Sequence, residues 1–377
     1  MYDPLLNEKR GPDDRAMWLA ALGLMAIGAA FIYSATFLPM ARTAWYKQLY
    51  LHQVVCYGLG VVAAVALGRQ EYGRLVRWAA VYYWVAVLLL VAVYILGAVH
   101  HGGKRWINLA GFSAQPSEFA KIAFILWLGS YLSRPEDELR KGKVFLGVLG
   151  YTALPFFLIL KEPDLGSALV FLAISITMMF AAGVSGRMLG ALVGVLGLLV
   201  AIAVVAVLFM PSALKVLTPY QKKNVLTFFG RDRSYNVEQA LISVGSGGLT
   251  GKGWTQGTQH ALGFLPSAGA HNDFIFSVIA EEEGFVGSVV VLALYAVLLF
   301  SGIKIASQAR DHLGSLLAVG VVTLLFCHVF INIGMNIRIM PVTGIPLPLL
   351  SYGGSSVVCS LIAIGILHNV HIYRRSY

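Results

Sequence analysis

Ten apolar stretches recur along the chain, and that recurrence restricts the fold more than any other feature. They cover roughly 16–37, 48–67, 75–97, 117–132, 144–160, 167–183, 188–210, 273–303, 315–337 and 351–372. Most approach the ~20 residues a helix needs to cross the hydrocarbon core of a bilayer. With 58% hydrophobic and only 12% charged residues in 377, the composition excludes a soluble domain. The expectation is an all-α polytopic membrane protein. It has ten transmembrane helices and one large extracytoplasmic loop between the seventh and the eighth. The fourth, fifth and sixth stretches are short, so tilted, broken or partly re-entrant helices are expected there.

A net charge of +10 could suggest nucleic acid, but the basic residues are scattered among short loops rather than gathered on one face. Such charge at span ends reads as a topology signal. Lys and Arg concentrate in the N-tail, the even-numbered short loops and the C-tail (Arg74, Arg77, Arg140, Lys141, Lys143 and Arg374 among them), so both termini are expected in the cytoplasm. The N-terminal MYDPLLNEKRGPDDR lacks a signal-peptide cleavage pattern, and the first span is expected to stay in the membrane. Cys56, Cys327 and Cys359 lie inside apolar runs without CxxC spacing and read as small hydrophobes. The domain reading is a cytoplasmic tail, 1–15, and one membrane domain, 16–377, which includes the extracytoplasmic loop 211–272. That loop is polar, Gly-rich and too long for a turn. Its Tyr220, Phe228, Phe229, Tyr235, Leu241, Ile242 and Trp254 are expected to pack it onto the membrane surface.

The acidic residues carry the functional signal. Half of the 18 belong to cytoplasmic segments and are ordinarily solvated. Glu118, Glu162, Asp164, Asp232, Glu238, Asp273, Glu281, Glu282 and Glu283 fall in spans or on the outer side. Ionisable groups at membrane depth are expensive and mark cavities or internal pairs. Glu118 and Lys121, three apart, share a helix face. They form either a self-neutralising pair or one wall of an outward-facing cavity, where Lys104 and Arg105 just upstream can meet an anion. Glu162 and Asp164 flank Pro163 at a helix end. Asp273 follows FLPSAGAHN and opens the eighth span, where it reads as a helix N-cap, a catalytic group, or both. Glu281 and Glu282 lie about 12 Å further along a regular helix. At least one is expected to face inward, toward Asp273 or a Lys or Arg.

Motifs through nearly the whole chain support a resemblance. They are IYSAT (32–36), GGKRWINL (102–109), QPSEFAK (115–121), EPDLGSA (162–168), YQKKNVLTF (220–228), SGGLTGKGWTQGTQ (246–259), DFIFSVIAEE (273–282) and PVTGIPLPLLSYGGSS (341–356). In this order, on ten spans, the sequence resembles the SEDS family (shape, elongation, division and sporulation), and GKGWTQGTQ is similar to its elongation branch rather than its division branch. The resemblance implies a peptidoglycan glycosyltransferase in the inner membrane that polymerises lipid II at the outer face. It also implies a class B penicillin-binding protein as transpeptidase partner, together with other elongation-machinery proteins, and no nucleic acid. The family's essential aspartate falls on Asp273. The substrate-binding set is expected to include Lys104, Arg105, Glu118, Lys121, Asp164, Glu281 and Glu282. The sequence departs from the family where LPSAGAHND replaces LPE, two residues and TD. Ser267 stands where the acid would be, Asn272 replaces the threonine, Glu283 replaces a usual leucine, and Arg338 sits where a small or apolar residue is common.

The implied chemistry fits these residues. The donor sugar is α-linked to a diphosphate and the polymer is β-linked, so one inverting displacement suffices. The incoming 4-hydroxyl then needs a general base, and a carboxylate serves. A diphosphate leaves without an acid when cations meet its charge, so Arg105, Lys121 or a bound ion can do that work. No cofactor is implied with certainty. Mg²⁺ or another divalent cation is the one candidate, held weakly by Asp273 with a nearby Glu, since no DxD pair exists. PLPLLSYGGSS reads as helix-breaking prolines and close-packing glycines, used for architecture or to shape a lipid groove. The rival readings are a lipid II flippase or transporter, a division-type polymerase, and a scaffold that only recruits the transpeptidase. The absence of repeated halves, and a best carboxylate at the outer edge rather than the midplane, disfavour transport.

Overall fold

The computed structural model describes residues 12–36, 49–96, 98–100, 103–109, 112–162, 164–209, 226–229, 234–265 and 267–375. Every expected span has its helix. The first seven positions hold α1 (Pro12–Thr36), α2 (Leu49–Gly68), α3 with α4 (Tyr72–Arg77, Ala79–Leu96), α5 (Pro116–Leu132), α7 (Gly142–Lys161), α8 (Leu165–Ala182) and α9 (Gly186–Phe209), with the short α6 (Glu136–Leu139) before α7. The third span, expected as one piece, is interrupted at Trp78, which closes α3 by donating its amide to the Leu75 carbonyl. The rest of the chain holds α10 (Tyr235–Ser246), α11 (Thr258–Ala261), α12 (Ser267–Ala270), α13 (Ile275–Ser307), α14 (His312–Asn336) and α15 (Gly354–Ile372). Among the described residues, eight helices are long and apolar enough to cross a membrane; α4 and α5 stand outside that set.

Local chemistry sets the helix ends. Asp164 opens α8 by accepting from the Ser167 amide (3.0 Å), and Gly183 closes it in the left-handed conformation at φ 84°. Asp311 opens α14 in the same way, accepting from Gly314 (2.7 Å). Of those eight, α14 and α15 are the most buried, and α2 lies along α15. The backbones of that pair approach closely because position 365 is glycine: a Cβ there would stand 2.7 Å from the Ala64 Cα. Helix α13 packs between α1 and α14, α8 between α7 and α14, and α9 lies at the rim with almost none of its surface covered.

Two features were absent from the sequence reading. A three-stranded antiparallel sheet, β1 (Ala98–His100), β2 (Gly103–Leu109) and β3 (Phe112–Ala114), joins α4 to α5. In the non-helical chain from 337 to 353, of which 347–351 are buried, side chains satisfy several carbonyls. Tyr57 donates to Leu349 (2.5 Å), Tyr295 to Pro348 (2.5 Å), Gln53 to Ser351 (3.1 Å) and Asn332 to Ile345 (2.8 Å). Irregular backbone at membrane depth persists only where protein supplies such partners.

Residues 1–11 of the tail lie outside the described residues, and α1 has already begun at Pro12. Of loop 211–272, residues 211–225, 230–233 and 266 lie outside them, with Tyr220 and Asp232 among these. Tyr235, Leu241, Ile242 and Trp254 are exposed.

Candidate active site

Asp273 occupies a short turn ahead of α13, between α12 and the helix start. It does not cap the helix: that position belongs to Phe274, which makes no side-chain cap hydrogen bond. The turn is instead fastened through three successive carbonyls. Tyr352 N donates to His271 O (2.8 Å) and Ser351 Oγ to Asn272 O (2.7 Å). The Asp273 carbonyl accepts from Asn332 Nδ2 (3.1 Å) and Asn336 Nδ2 (3.0 Å). Ser277 Oγ, donating to Asn336 Oδ1 (2.5 Å), orients the second asparagine. With its backbone tied in this way, Asp273 turns its carboxylate toward the 341–347 segment: a Cβ on Gly344 would lie 3.6 Å from Oδ2.

The same segment meets a second polar group on its other side. Gly166, in the first turn of α8, lets Thr343 and Ile345 approach, since a Cβ there would stand 2.6 Å from Thr343 Cβ. Just ahead of it, Asp164 Oδ2 accepts from Gln115 Nε2 (3.4 Å), and the Gln115 amide donates to Ser355 Oγ (3.3 Å). Arg105, on β2, donates through Nε to the Glu162 carbonyl (2.8 Å), and Lys104 is carried on the same strand. Glu162 is buried, and its Oε1 has no hydrogen-bond partner. Burial, then the neighbouring Asp164, pushes its carboxyl up to about 8, with Arg105 pulling the other way.

Glu118 and Lys121 sit at the start of α5 and are both buried. Lys121 Nζ lies 2.6 Å from Glu118 Oε1 and 2.7 Å from His328 Nε2 on α14. A lysine donating to imidazole nitrogen needs that nitrogen unprotonated, so the group is an ion pair extended by a neutral acceptor. His328 was missed in the sequence, as were Gln115 and the asparagines. The signal for the last was present: Asn332 and Asn336, four apart in an apolar run, share a face.

Glu281 and Glu282, both fully buried, belong to a different assembly. Glu281 Oε1 accepts from Lys252 Nζ (2.6 Å), Thr258 N (2.8 Å) and Thr258 Oγ1 (2.9 Å). Glu282 accepts from Ser34 Oγ (2.6 Å) on α1 and from Thr255 N (3.1 Å), with His260 Nε2 at 3.7 Å. Burial lowers the His260 imidazole below its ordinary value, so that contact is made by a neutral ring. The expectation that one of the pair meets a lysine is met, though beside the 247–260 loop rather than beside Asp273.

Helix α13 is also interrupted there, at Gly284, with φ 67° and ψ −156°. The loop threads into the gap. Lys252 N and Gly253 N donate to the carbonyls of Glu281 (3.0 Å) and Glu282 (2.8 Å), while Phe285 N and Val286 N donate to Gly248 O (2.9 Å) and Leu249 O (3.1 Å). A Cβ at Gly251 would run into the Glu282 carbonyl, and one at Gly284 into the Gly251 amide. The loop is therefore held chiefly by backbone pairing and carboxylate ties.

No group of three or more His, Cys, Asp or Glu able to hold a metal stands together among the described residues. The candidates for a second carboxylate, Glu281 and Glu282, are committed to the loop. Among the described residues, then, no divalent-cation site is assembled at Asp273.

Comparison with known proteins was made over the whole chain. Residues 14–376 match the family model FtsW/RodA/SpoVE, described as cell cycle protein. The chain is 34% identical over 369 residues to the peptidoglycan glycosyltransferase MrdB of Escherichia coli K12, covering 96% of this chain and 94% of that one. It superposes on a chain of a peptidoglycan synthase complex with TM-score 0.77 and 28% identity, covering 96% and 98% of the two chains. The crystal structure of the rod shape determining protein RodA of Thermus thermophilus matches with TM-score 0.69 and 29% identity, over 96% and 97%.

Proposed function

The chain belongs to the FtsW/RodA/SpoVE family, and from that premise we infer that it is a peptidoglycan glycosyltransferase. It is a polytopic membrane enzyme that polymerises lipid II into β-1,4 glycan strands during cell elongation. We place the reaction at the outer face of the cytoplasmic membrane, with both termini in the cytoplasm. The partner is a class B penicillin-binding protein, supported by the likeness to a chain of a peptidoglycan synthase complex, and other elongation-machinery proteins complete the assembly.

One observation supports the mechanism: the turn His271–Asp273 is fixed by its carbonyls, and the Asp273 carboxylate faces the 341–347 segment. A base held in this way needs no reorganisation before it meets the incoming hydroxyl. Asp273 takes the proton of the acceptor 4-hydroxyl as its oxygen bonds to the donor C1. The C1–oxygen bond to the diphosphate breaks on the opposite face, the anomeric configuration inverts, and polyprenyl diphosphate leaves with the electron pair. Arg105, its Nε anchored to the Glu162 carbonyl, meets the developing charge. Glu118 and Lys121 form the closed polar floor, and Asp164 sets Gln115 and the start of α8. Glu281 and Glu282 serve substrate binding indirectly, by holding the loop. No step is routed through a metal.

The test is glycan polymer formation from purified lipid II with the cognate transpeptidase present, comparing wild type and Asp273→Asn at equal folded yield. Loss of polymer in the variant alone supports the assignment. Equal polymer from both removes the base role from Asp273. No polymer from either protein returns the transporter reading, with lipid II translocation as its assay.

A further inference from the structure

At the break in α13 three successive acids meet different fates. Glu281 and Glu282 are tied to the loop, whereas Glu283 makes no hydrogen bond or ion pair with any described residue and is only partly buried. It lines a cavity of about 420 Å³ between α1 and α13. Ile27 and Phe31 of α1 form one wall, four residues apart, and Val286 and Val290 of α13 form another with the same spacing. Position 287 must be glycine for Glu283 to lie where it does, since a Cβ there would collide with the Glu283 Cβ.

A carboxylate among such walls is costly without a partner, and the described part of the chain supplies none. A phospholipid amine would bring its phosphate with it. The only polar side chains lining the cavity are Glu283 and Thr250, with no cation to receive that phosphate. Two rows at i, i+4 spacing with a small residue between them form the groove into which a third helix packs. We propose that the α1–α13 groove seats a membrane-spanning helix of a partner protein, and that this helix places a Lys or Arg against Glu283.

The test puts a photo-crosslinking amino acid at Val290 in the full-length protein, irradiates intact cells and maps the adduct by mass spectrometry. The expected adduct lies in a membrane-spanning segment with a Lys or Arg within one turn of the attachment point. Glu283→Gln is expected to lower its yield roughly fivefold or more, the scale of one polar interhelical contact in a bilayer. Exchanging the charges, Glu283→Lys here and the basic residue to Glu in the partner, should restore it. The proposal fails if adducts form only with lipid, form with a segment lacking a basic residue, do not form, or form equally with Glu283→Gln. Should Glu283→Gln prove unstable in detergent, the wild-type adduct map decides alone.

Discussion

Helix α13 is preceded by one break and contains another, and carboxylates sit at both, yet the two are built in opposite ways. At the His271–Asp273 turn the ties run to the backbone, through Asn332, Asn336, Ser351 and Tyr352. At Gly284 the carboxylates of Glu281 and Glu282 are themselves the ties, taking up a lysine, hydroxyls and backbone amides of the 247–260 loop. An acid at membrane depth is therefore not by itself a sign of catalysis. What separates the two regions is which groups make the ties: backbone carbonyls at the first, carboxylates at the second.

The sharpest way to break this contrast is to neutralise one acid from each region. Asp273→Asn should lower polymerisation by roughly 10²–10⁴-fold, the usual worth of a general base, while thermal unfolding in detergent stays near wild type. Glu281→Gln should do the reverse, lowering the unfolding temperature and leaving turnover per folded molecule far less affected. If both variants behave alike, the distinction fails. Gly284→Ala comes next. A left-handed φ and a collision with the Gly251 amide together should cost more than about 3 kcal/mol, read as loss of monodisperse protein on size exclusion.

Asn336→Ala should cost about 1–2 kcal/mol by leaving the part-buried Asp273 carbonyl with one donor fewer, and should reduce turnover more than lipid II affinity. A loss in affinity alone would mean that Asn336 does not position the base.

The smallest effect is in pH. The Glu162 carboxyl titrates at about 8 in the folded chain against an ordinary 4.5, so between those values the folded state holds the extra proton. Its contribution to stability is fullest below 4.5, falls as pH rises toward 8, and is flat above. The unfolding temperature of wild type relative to Glu162→Gln should fall across that window. A difference independent of pH would show that Glu162 is not held protonated.

The helices were legible because each is a sustained apolar run, and each of the ten expected positions holds helix, eight of them of membrane length among the described residues. Asp273 was legible as the acid opening the eighth span. Its capping role was not realised: Phe274 takes the cap position, and the turn's own carbonyls accept from donors on α14 and the 351–352 segment, far away in sequence. The partners of Glu281 and Glu282 were hidden for a related reason. The loop reaches them through glycines whose meaning is close backbone approach, and composition alone reads those glycines as a flexible stretch. The apolar side chains expected to pack that loop onto the membrane surface include Tyr235, Leu241, Ile242 and Trp254, which are exposed on the protein. The strand Gly103–Leu109 was passed over because it is short and lies between two much stronger helical signals.

The ties on Asp273 also set an order of assembly. Translation delivers the carboxylate well before Asn332, Asn336, Ser351 and Tyr352, which fasten its turn. A ribosome paused after α13 has made the acid without its mount. If Asp273 is the base proposed above, competence arrives only with the last two membrane helices, and a chain truncated before them is expected to insert but make no polymer.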